Sequence, residues 1–261
     1  MKSLDKVMEL LAQFTLSRPQ WSLTELSHTT DIPLSTTHRI VGVLKEHGLL
    51  AQDPQTKRYR LGFGAIDLGY RALAALDVPP LAKPIMRRLS QQTGETILLT
   101  VPNDTRDHSV CIERIDGQYD LRIHLEVGRQ VPLHAGASAK ILLAYFPSEE
   151  IDEFIHRVGL PKVAPNTITD PEALKENLAT IRQQGYAFSQ EETNEGAWGL
   201  AVPILDQRGQ AIAGLGISAP TSRYSHQAEE HVTKLTQEAA LEITRLIGVV
   251  PRGGGRSYTG G

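Results

Sequence analysis

One cysteine, Cys111, in 261 residues leaves no partner for an internal disulfide. That excludes the disulfide-stapled secreted domains and suits a reducing cytoplasm. Its place in a short apolar strand predicts a buried, unreactive thiol. No apolar run approaches the roughly 20 residues needed to cross a bilayer, so no membrane span is expected. Asp5, Lys6 and Glu9 interrupt the N-terminus, which therefore lacks the apolar core of a secretory signal. Charge of neither sign dominates. A net charge of -3 argues against a nucleic-acid coat over the whole surface but leaves a local site open. Residues 1–62 carry eight Lys/Arg against six Asp/Glu, so what positive excess exists lies at the N-terminus. The length favours two domains over one.

The N-terminal 62 residues read as three helices and a hairpin. Leu4, Val7, Met8 and Leu11 recur at helical spacing and predict a helix over residues 3–14 with these side chains inward. Ser22, with Glu25 three residues on, has the pattern of a capping box, and Trp21 and Leu26 that of a hydrophobic staple. Pro33 disfavours helical geometry at Ile32, so the first helix of the pair stops and a second begins near Ser35. Its expected inner face is Leu34, Thr37, Val41 and Leu44, which leaves Ser35, Thr36, Arg39 and Val43 outside. A short polar helix end with one arginine is what a recognition helix presents to a DNA major groove. An ordinary helical hairpin is the competing reading. Gly48 ends the helix, Asp53 to Thr56 is turn material, and Lys57 to Leu61 reads as a returning basic strand. The order helix, turn, helix, basic hairpin favours a winged helix-turn-helix. Ser35, Thr36 and Arg39 are then the base-reading candidates, and Lys57, Arg58 and Arg60 the backbone candidates. So small a reading surface predicts a symmetric dimer on a pseudo-palindromic double-stranded operator.

Residues 63–79 form an apolar connector, expected to be helical and covered on one face by a partner chain or by the second domain. The Pro79-Pro80 pair marks its end. From residue 80 to about 249 the pattern predicts an α+β domain with a mainly antiparallel sheet. Helices are expected at 81–92, from 137 to near 145, from Ser148 as cap, and from Asp170-Pro171 to Gln184, with a last one from Tyr224-Ser225. Strands are expected at 95–101, 109–114, 121–126, 200–205 and 211–218. Residues 250–261 are too rich in glycine to fold alone, and a flexible tail is expected there.

Catalytic chemistry is sparse. His134 and Ser138 suggest a base and a nucleophile, but HAGAS is not a strand-turn-helix elbow and no acidic third member is placed. His124 with Glu126, His226 with Glu230, and His231 show no convergent metal pattern. No catalytic residue, metal or cofactor is expected. Small residues at element boundaries stand out instead. Gly136 and Ala137 would expose backbone amides at a helix start, where a carboxylate is well received. Gly196, Gly199, Gly214 and Gly216 leave room for a small molecule or, equally on the residues alone, for close packing of helix on sheet.

These segments resemble the IclR family of bacterial transcriptional regulators over about residues 3–249. The resemblance rests on IPLSTTHRIVGVLKEHGLL with the RYRLG wing, on VPLHAGASAKILLAY, on GYAFSQEETNEGAWGLAVPILDQRGQAIAGLGISAPTSRY, and on the closing helix. It implies a winged helix-turn-helix, a linker helix and a GAF-like effector-binding domain, acting as a homodimer or homotetramer. It implies a repressor or activator of a catabolic operon that answers to a carboxylic or aromatic acid. By motif, the ligand loop falls on Gly136 and Ala137, with further contacts at Ser189, Gly199, Gly216 and Ser218. Leu121 and Ile123 are inferred to line the apolar side. Members that bind small oxo-acids tend to carry acidic, cysteine and serine side chains at the positions of Ser189, Gly199 and Gly216. The smaller or uncharged residues here point to a larger or more apolar effector. An enzyme on a GAF-like domain would need converging chemical groups, which the sequence does not offer, and a purely structural protein is disfavoured by the basic wing.

Overall fold

The computed structural model describes residues 2–249 apart from Ala75 and His124, and its internal contacts divide the chain between Leu76 and Asp77. The tail expected at 250–261, and any role of His124, lie outside the described residues.

The N-terminal unit runs α1 (Lys2–Leu11), α2 (Leu23–Thr29), α3 (Leu34–Glu46), β1 (Leu50–Gln52), β2 (Tyr59–Leu61) and α4 (Phe63–Ala74). α2 opens on the capping box: Glu25 N–H donates to Ser22 Oγ at 3.2 Å and Ser22 N–H to Glu25 Oε2 at 2.7 Å. Trp21 and Leu26 share one core with Leu10, Ile40, Val41, Leu44, Leu50 and Tyr59. The α2–α3 turn is pinned at the Ile32 carbonyl, which accepts from Ser27 Oγ at 2.6 Å and Thr37 Oγ1 at 3.1 Å. β1 and β2 pair antiparallel, and a further bridge joins Tyr59 to Trp21, tying the hairpin to the start of α2.

Several expectations change here. α1 ends at Leu11, and Leu4 and Met8 face out. The alternative spacing Val7, Leu10, Leu11, Phe14 is the one that packs, because Leu10 meets the α2–α3 core. Leu34 is the first residue of α3 and is exposed, while Ile40 takes an inward place. α4 is helical, with Phe63, Ile66, Leu68 and Tyr70 all exposed, so nothing else described in the N-terminal unit covers that apolar surface.

The second unit runs α5 (Val78–Thr93), β3 (Thr96–Pro102), β4 (His108–Ile115), β5 (Gln130–Pro132), α6 (Ala137–Leu143), α7 (Ser148–Val158), α8 (Pro171–Gln184), β6 (Ala187–Gln190), β7 (Ala197–Leu205), β8 (Ala211–Pro220) and α9 (His226–Val249). The six strands form one sheet in the order β5-β4-β3-β8-β7-β6, antiparallel at every pairing. α5 and α9 pack on one face of this sheet, and α6, backed by α7 and α8, on the other. Pro79 and Pro80 sit in the first turn of α5, where a missing N–H is tolerated. Asp170 caps α8 as expected, accepting from Ala173 N–H at 2.8 Å. Ser148 is already inside α7, and Pro147 occupies the cap position.

Residues 121–126 do not form the expected strand. The open edge of β4 is taken by β5, and the loop between them is held by side chains instead. Arg223 Nη1 donates to the Leu121 carbonyl at 2.8 Å, and Arg114 donates to that of Leu125. The loop carries alternating apolar residues but has no strand to pair with.

α6 lies directly on the sheet because β8 offers glycine beneath it. A Cβ on Gly214 would fall 2.9 Å from Ile141 Cγ2 and Thr100 Oγ1, and one on Gly216 would fall 2.5 Å from Ser138 Oγ. These two glycines serve helix–sheet packing, the second of the two readings left open by the sequence.

Candidate functional site

The outer face of α3 presents Ser35, His38, Arg39 and Val43 as exposed side chains, with Thr36 half-buried. No internal partner engages the Arg39 guanidinium among the described residues. His38 was not singled out by spacing, yet it lies beside Arg39 on the same free surface. The three basic residues of the hairpin are not equivalent. Lys57 stands at the turn with φ of 58°, where the Asp53 carboxylate accepts from Gln55 N–H and Thr56 N–H, both at 2.8 Å. Arg60 Nη1 donates to its neighbour's carbonyl, 3.0 Å from Leu61 O, and its charge acts on Asp53. Arg58 is engaged inside the unit: its Nη2 donates to Glu25 Oε2 at 2.7 Å, beside Arg18 on Glu25 Oε1 at 2.9 Å. Its guanidinium thus braces the hairpin against the cap of α2, which leaves Lys57 and Arg60 as the hairpin cations without a carboxylate hydrogen bond among the described residues. The Ser22 hydrogen bonds and the Arg58 guanidinium lower the Glu25 carboxyl from 4.5 to about 2. A depressed folded-state pKa stabilises above the unfolded value. The bracing should therefore hold from neutral pH down to about 4.5 and be lost as the pH falls towards about 2, a window readable by acid titration of Trp21 fluorescence.

In the second unit a cavity of about 70 Å³ opens between the α6 face of the sheet and the start of α6. Its lining includes Gly136, Ala137, Ser189, Gly199 and Ser218, five of the positions singled out from the sequence. Strand register explains the convergence. Ser189 pairs with Gly199 and Gly199 with Ser218, so all three share one face. Leu121 and Ile123 do not line the cavity; Leu125, from the same loop, does, because the expected strand is absent. Gly216 is covered by Ser138 and is not part of the lining.

The amides expected to be free are not free. Gly136 N–H donates to Glu192 Oε2 at 3.0 Å, and Ala137 N–H donates to Ser189 Oγ at 2.9 Å. Glu192 is held in turn by Lys140, whose Nζ lies 2.6 Å from Glu192 Oε1 and 2.9 Å from Asn177 Oδ1. Lys140 is fully buried, and burial pulls its pKa down while Glu192 pulls it back up. The start of α6 therefore already holds a carboxylate, supplied by the chain itself.

Other lining residues had no signal in the sequence: Arg129, Ser109 and Leu125. Cys111, expected as a buried and unreactive thiol, lines the cavity too; burial pushes its thiol up to about 11, so it stays protonated. His134 Nε2 donates to the Pro161 carbonyl at 3.0 Å, and burial lowers its pKa, keeping the ring neutral. It packs against Phe154 as part of the α6–α7 layer. Among the described residues no grouping of His, Cys, Asp and Glu could hold a metal ion, and no helix is long and apolar enough to cross a membrane.

Gly136 supports this arrangement through its backbone. At φ 81° and ψ 157° it occupies a region essentially restricted to glycine, and a Cβ there would meet Thr193 Cγ2 at 2.7 Å. Gly136→Ala should cost on the order of 1–3 kcal/mol of stability in this unit. Urea unfolding followed at buried Trp198 is the readout, in a Trp21→Phe background.

A helix-turn-helix head with a free recognition face, continued in one chain by an α/β domain with a cavity, defines a ligand-responsive DNA-binding regulator. Two family profiles match, described as "IclR helix-turn-helix domain" over residues 3–54 and "Bacterial transcriptional regulator IclR C-terminal" over residues 70–245. The chain belongs to the IclR family of bacterial transcriptional regulators. It is 32% identical to the HTH-type transcriptional regulator KipR of Bacillus subtilis, over 95% of this chain and 97% of that one. It is 36% identical to the HTH-type transcriptional regulator KdgR of Escherichia coli, over 87% and 85%. The IclR structure from Thermotoga maritima superposes with a TM-score of 0.77 at 30% identity, covering 95% and 99% of the two chains. An IclR homolog from Microbacterium hydrocarbonoxydans, complexed with 4-hydroxybenzoate, superposes with a TM-score of 0.80 at 29% identity, covering 93% and 98%.

Proposed function

We propose that this protein is a repressor of a catabolic operon that binds a palindromic operator as a dimer or dimer of dimers. A small carboxylic or aromatic acid in the cavity releases or modulates it. The carrying observation is the pairing, in one chain, of a helix face with exposed Ser35, His38 and Arg39 and a domain whose cavity gathers Gly136, Ala137, Ser189, Gly199 and Ser218. Residues 1–62 act as the winged reading head, 63–79 as the linker helix, and 80–249 as the GAF-like effector domain. Ser35, Thr36 and Arg39 read base edges, while Lys57 and Arg60 contact phosphates. The exposed Phe63, Ile66, Leu68 and Tyr70 of α4 are suited to a second copy, which would pair two recognition helices about one helical turn of DNA apart. A repressor from Escherichia coli, the transcriptional repressor IclR, is 29% identical over 95% of the chain, and the 4-hydroxybenzoate complex supports an acid as the effector class.

The acid acts only if it binds the operator-competent and operator-incompetent states unequally. A mobility-shift titration with the DNA upstream of the protein's own gene tests the reading. A sequence-selective shift at low micromolar protein is expected, and equal retardation of scrambled DNA would overturn it.

A further inference from the structure

The recognition helix, the hairpin and α4 meet at one corner, and that corner is built from backbone. α3 ends in a Schellman motif. Gly48, in the left-handed region at φ 71°, donates its N–H to the Lys45 carbonyl at 3.0 Å, and Leu49 N–H donates to that of Leu44 at 2.8 Å. The carbonyls of the same two residues turn to the other elements. Gly62 N–H donates to the Leu49 carbonyl at 2.8 Å, which adds one rung to the β1–β2 pairing beyond Leu50 and Leu61. Gly64 N–H lies in the first turn of α4, where a helix has no acceptor of its own, and donates to the Gly48 carbonyl at 3.0 Å. The carbonyl end of α3 thus meets the amide end of α4, an attractive pairing of opposite partial charges.

The corner has no room for side chains. A Cβ on Gly62, which is buried, would overlap the Gly48 carbonyl oxygen. One on Gly64 would fall 2.9 Å from the Gly48 oxygen and 3.1 Å from that of His47. These obstacles are backbone atoms fixed by the Schellman bonds, and they cannot rotate aside as a side chain can. Farther along α4, a Cβ on Gly69 would meet no described neighbour within 4 Å, so the demand for glycine is confined to the corner.

We infer that Gly48, Gly62 and Gly64 are positioning residues for operator reading: they lock the end of the recognition helix, the wing and the start of α4 into one rigid corner. The direction of α4 then fixes the directions of α3 and the wing together. A displacement of α4 reaches both DNA-contacting elements undivided, and the separation of two recognition helices is set by how two copies of α4 pack. This rests on the proposed roles of α3 as reader and α4 as the contact between copies. A jointed corner would let each head swing and accept many half-site spacings, whereas a locked one ties affinity to a single spacing.

Fluorescence anisotropy of the full chain tests it on three duplexes cut from the operator upstream of its own gene. These are the palindrome, one half-site, and the palindrome with a central insertion of about half a helical turn, roughly five base pairs. The wild type should bind the palindrome on the order of 100-fold or more tighter than the half-site, and should lose that advantage on the insertion. Gly64→Ala should bind the half-site as the wild type does, because Ser35, Thr36 and Arg39 are untouched. It should lose about tenfold or more of the advantage of the palindrome. An unchanged advantage in Gly64→Ala overturns the inference and leaves operator reading in place. Equal loss on half-site and palindrome also overturns it, since the glycines would then serve only the fold of the head. A wild type with no preference for the palindrome overturns the dimeric reading and the inference with it. Spin labels on the exposed positions of Lys45→Cys and Arg71→Cys, in chains diluted with unlabelled protein, test the corner with its glycines intact, the native Cys111 being buried. One narrow distance distribution, unchanged by the palindrome, is expected. A broad one overturns the inference whether or not Gly64→Ala folds.

Discussion

Lys140→Met should cost roughly 3–5 kcal/mol of the second unit's stability, the usual penalty for breaking a buried ion pair from one side. The ammonium is fully buried and joins three elements: α6, which carries it, α8 through Asn177, and the β6–β7 loop through Glu192. Removing it strands the Glu192 carboxylate, which is itself nearly buried and would retain only the Gly136 N–H as partner. Glu192→Gln added to Lys140→Met should recover most of the loss, because the amide oxygen still accepts from Gly136 while no charge is left unpaired. Urea unfolding reads this directly: Trp198 is buried in the second unit and Trp21 in the first, so each unit carries its own fluorophore. A midpoint at Trp198 unchanged by Lys140→Met would show that the pair contributes nothing to the site.

Arg39→Ala should weaken operator binding by about 1–3 kcal/mol, on the order of 5- to 150-fold, with little loss on non-operator DNA. The expectation follows from its position, exposed on the outer face of α3 with no internal partner among the described residues. The hairpin provides the contrast. Lys57→Ala should weaken operator and random DNA alike and reduce the slope of log affinity against log salt by about 1. Equal loss on both DNAs for Arg39→Ala would move that residue from base reading to phosphate contact.

The parts of this molecule that were legible in sequence are those decided within a few residues. Ser22 and Glu25 specify a capping box by spacing alone, and Asp170-Pro171 specifies the start of α8 in the same way. Apolar periodicity was less decisive where a helix is apolar on two sides. In α1 the sets Leu4-Val7-Met8 and Val7-Leu10-Leu11 fit a helix equally, and only the neighbouring core selects the second. Alternation over Leu121 to Glu126 looked like a strand because pattern says nothing of whether a partner edge is open, and that edge belongs to β5. The cavity was half legible. Its glycines and serines stood out as small residues, but Gly214 and Gly216 turn out to seat α6, a distinction that depends on which helix crosses them. Arg129 and Ser109 carried no signal because their place in the cavity arises from pairing across β4 and β5. The Lys140–Glu192 pair, 52 residues apart, depends on the sheet bringing the two loops together.

The operator-reading and effector sites share one chain, and their coupling is a thermodynamic quantity. Fluorescence anisotropy of labelled operator, measured with and without a saturating carboxylic or aromatic acid, gives the factor by which the acid changes operator affinity, expected at about 5- to 150-fold. Calorimetry of the same acid into free and operator-bound protein gives the reverse factor, and reciprocity requires the two to agree. Agreement at a value well away from one is the predicted result. Tight binding of both ligands with a factor of one in each direction would contradict it, because the cavity would then have no hold on the reading head.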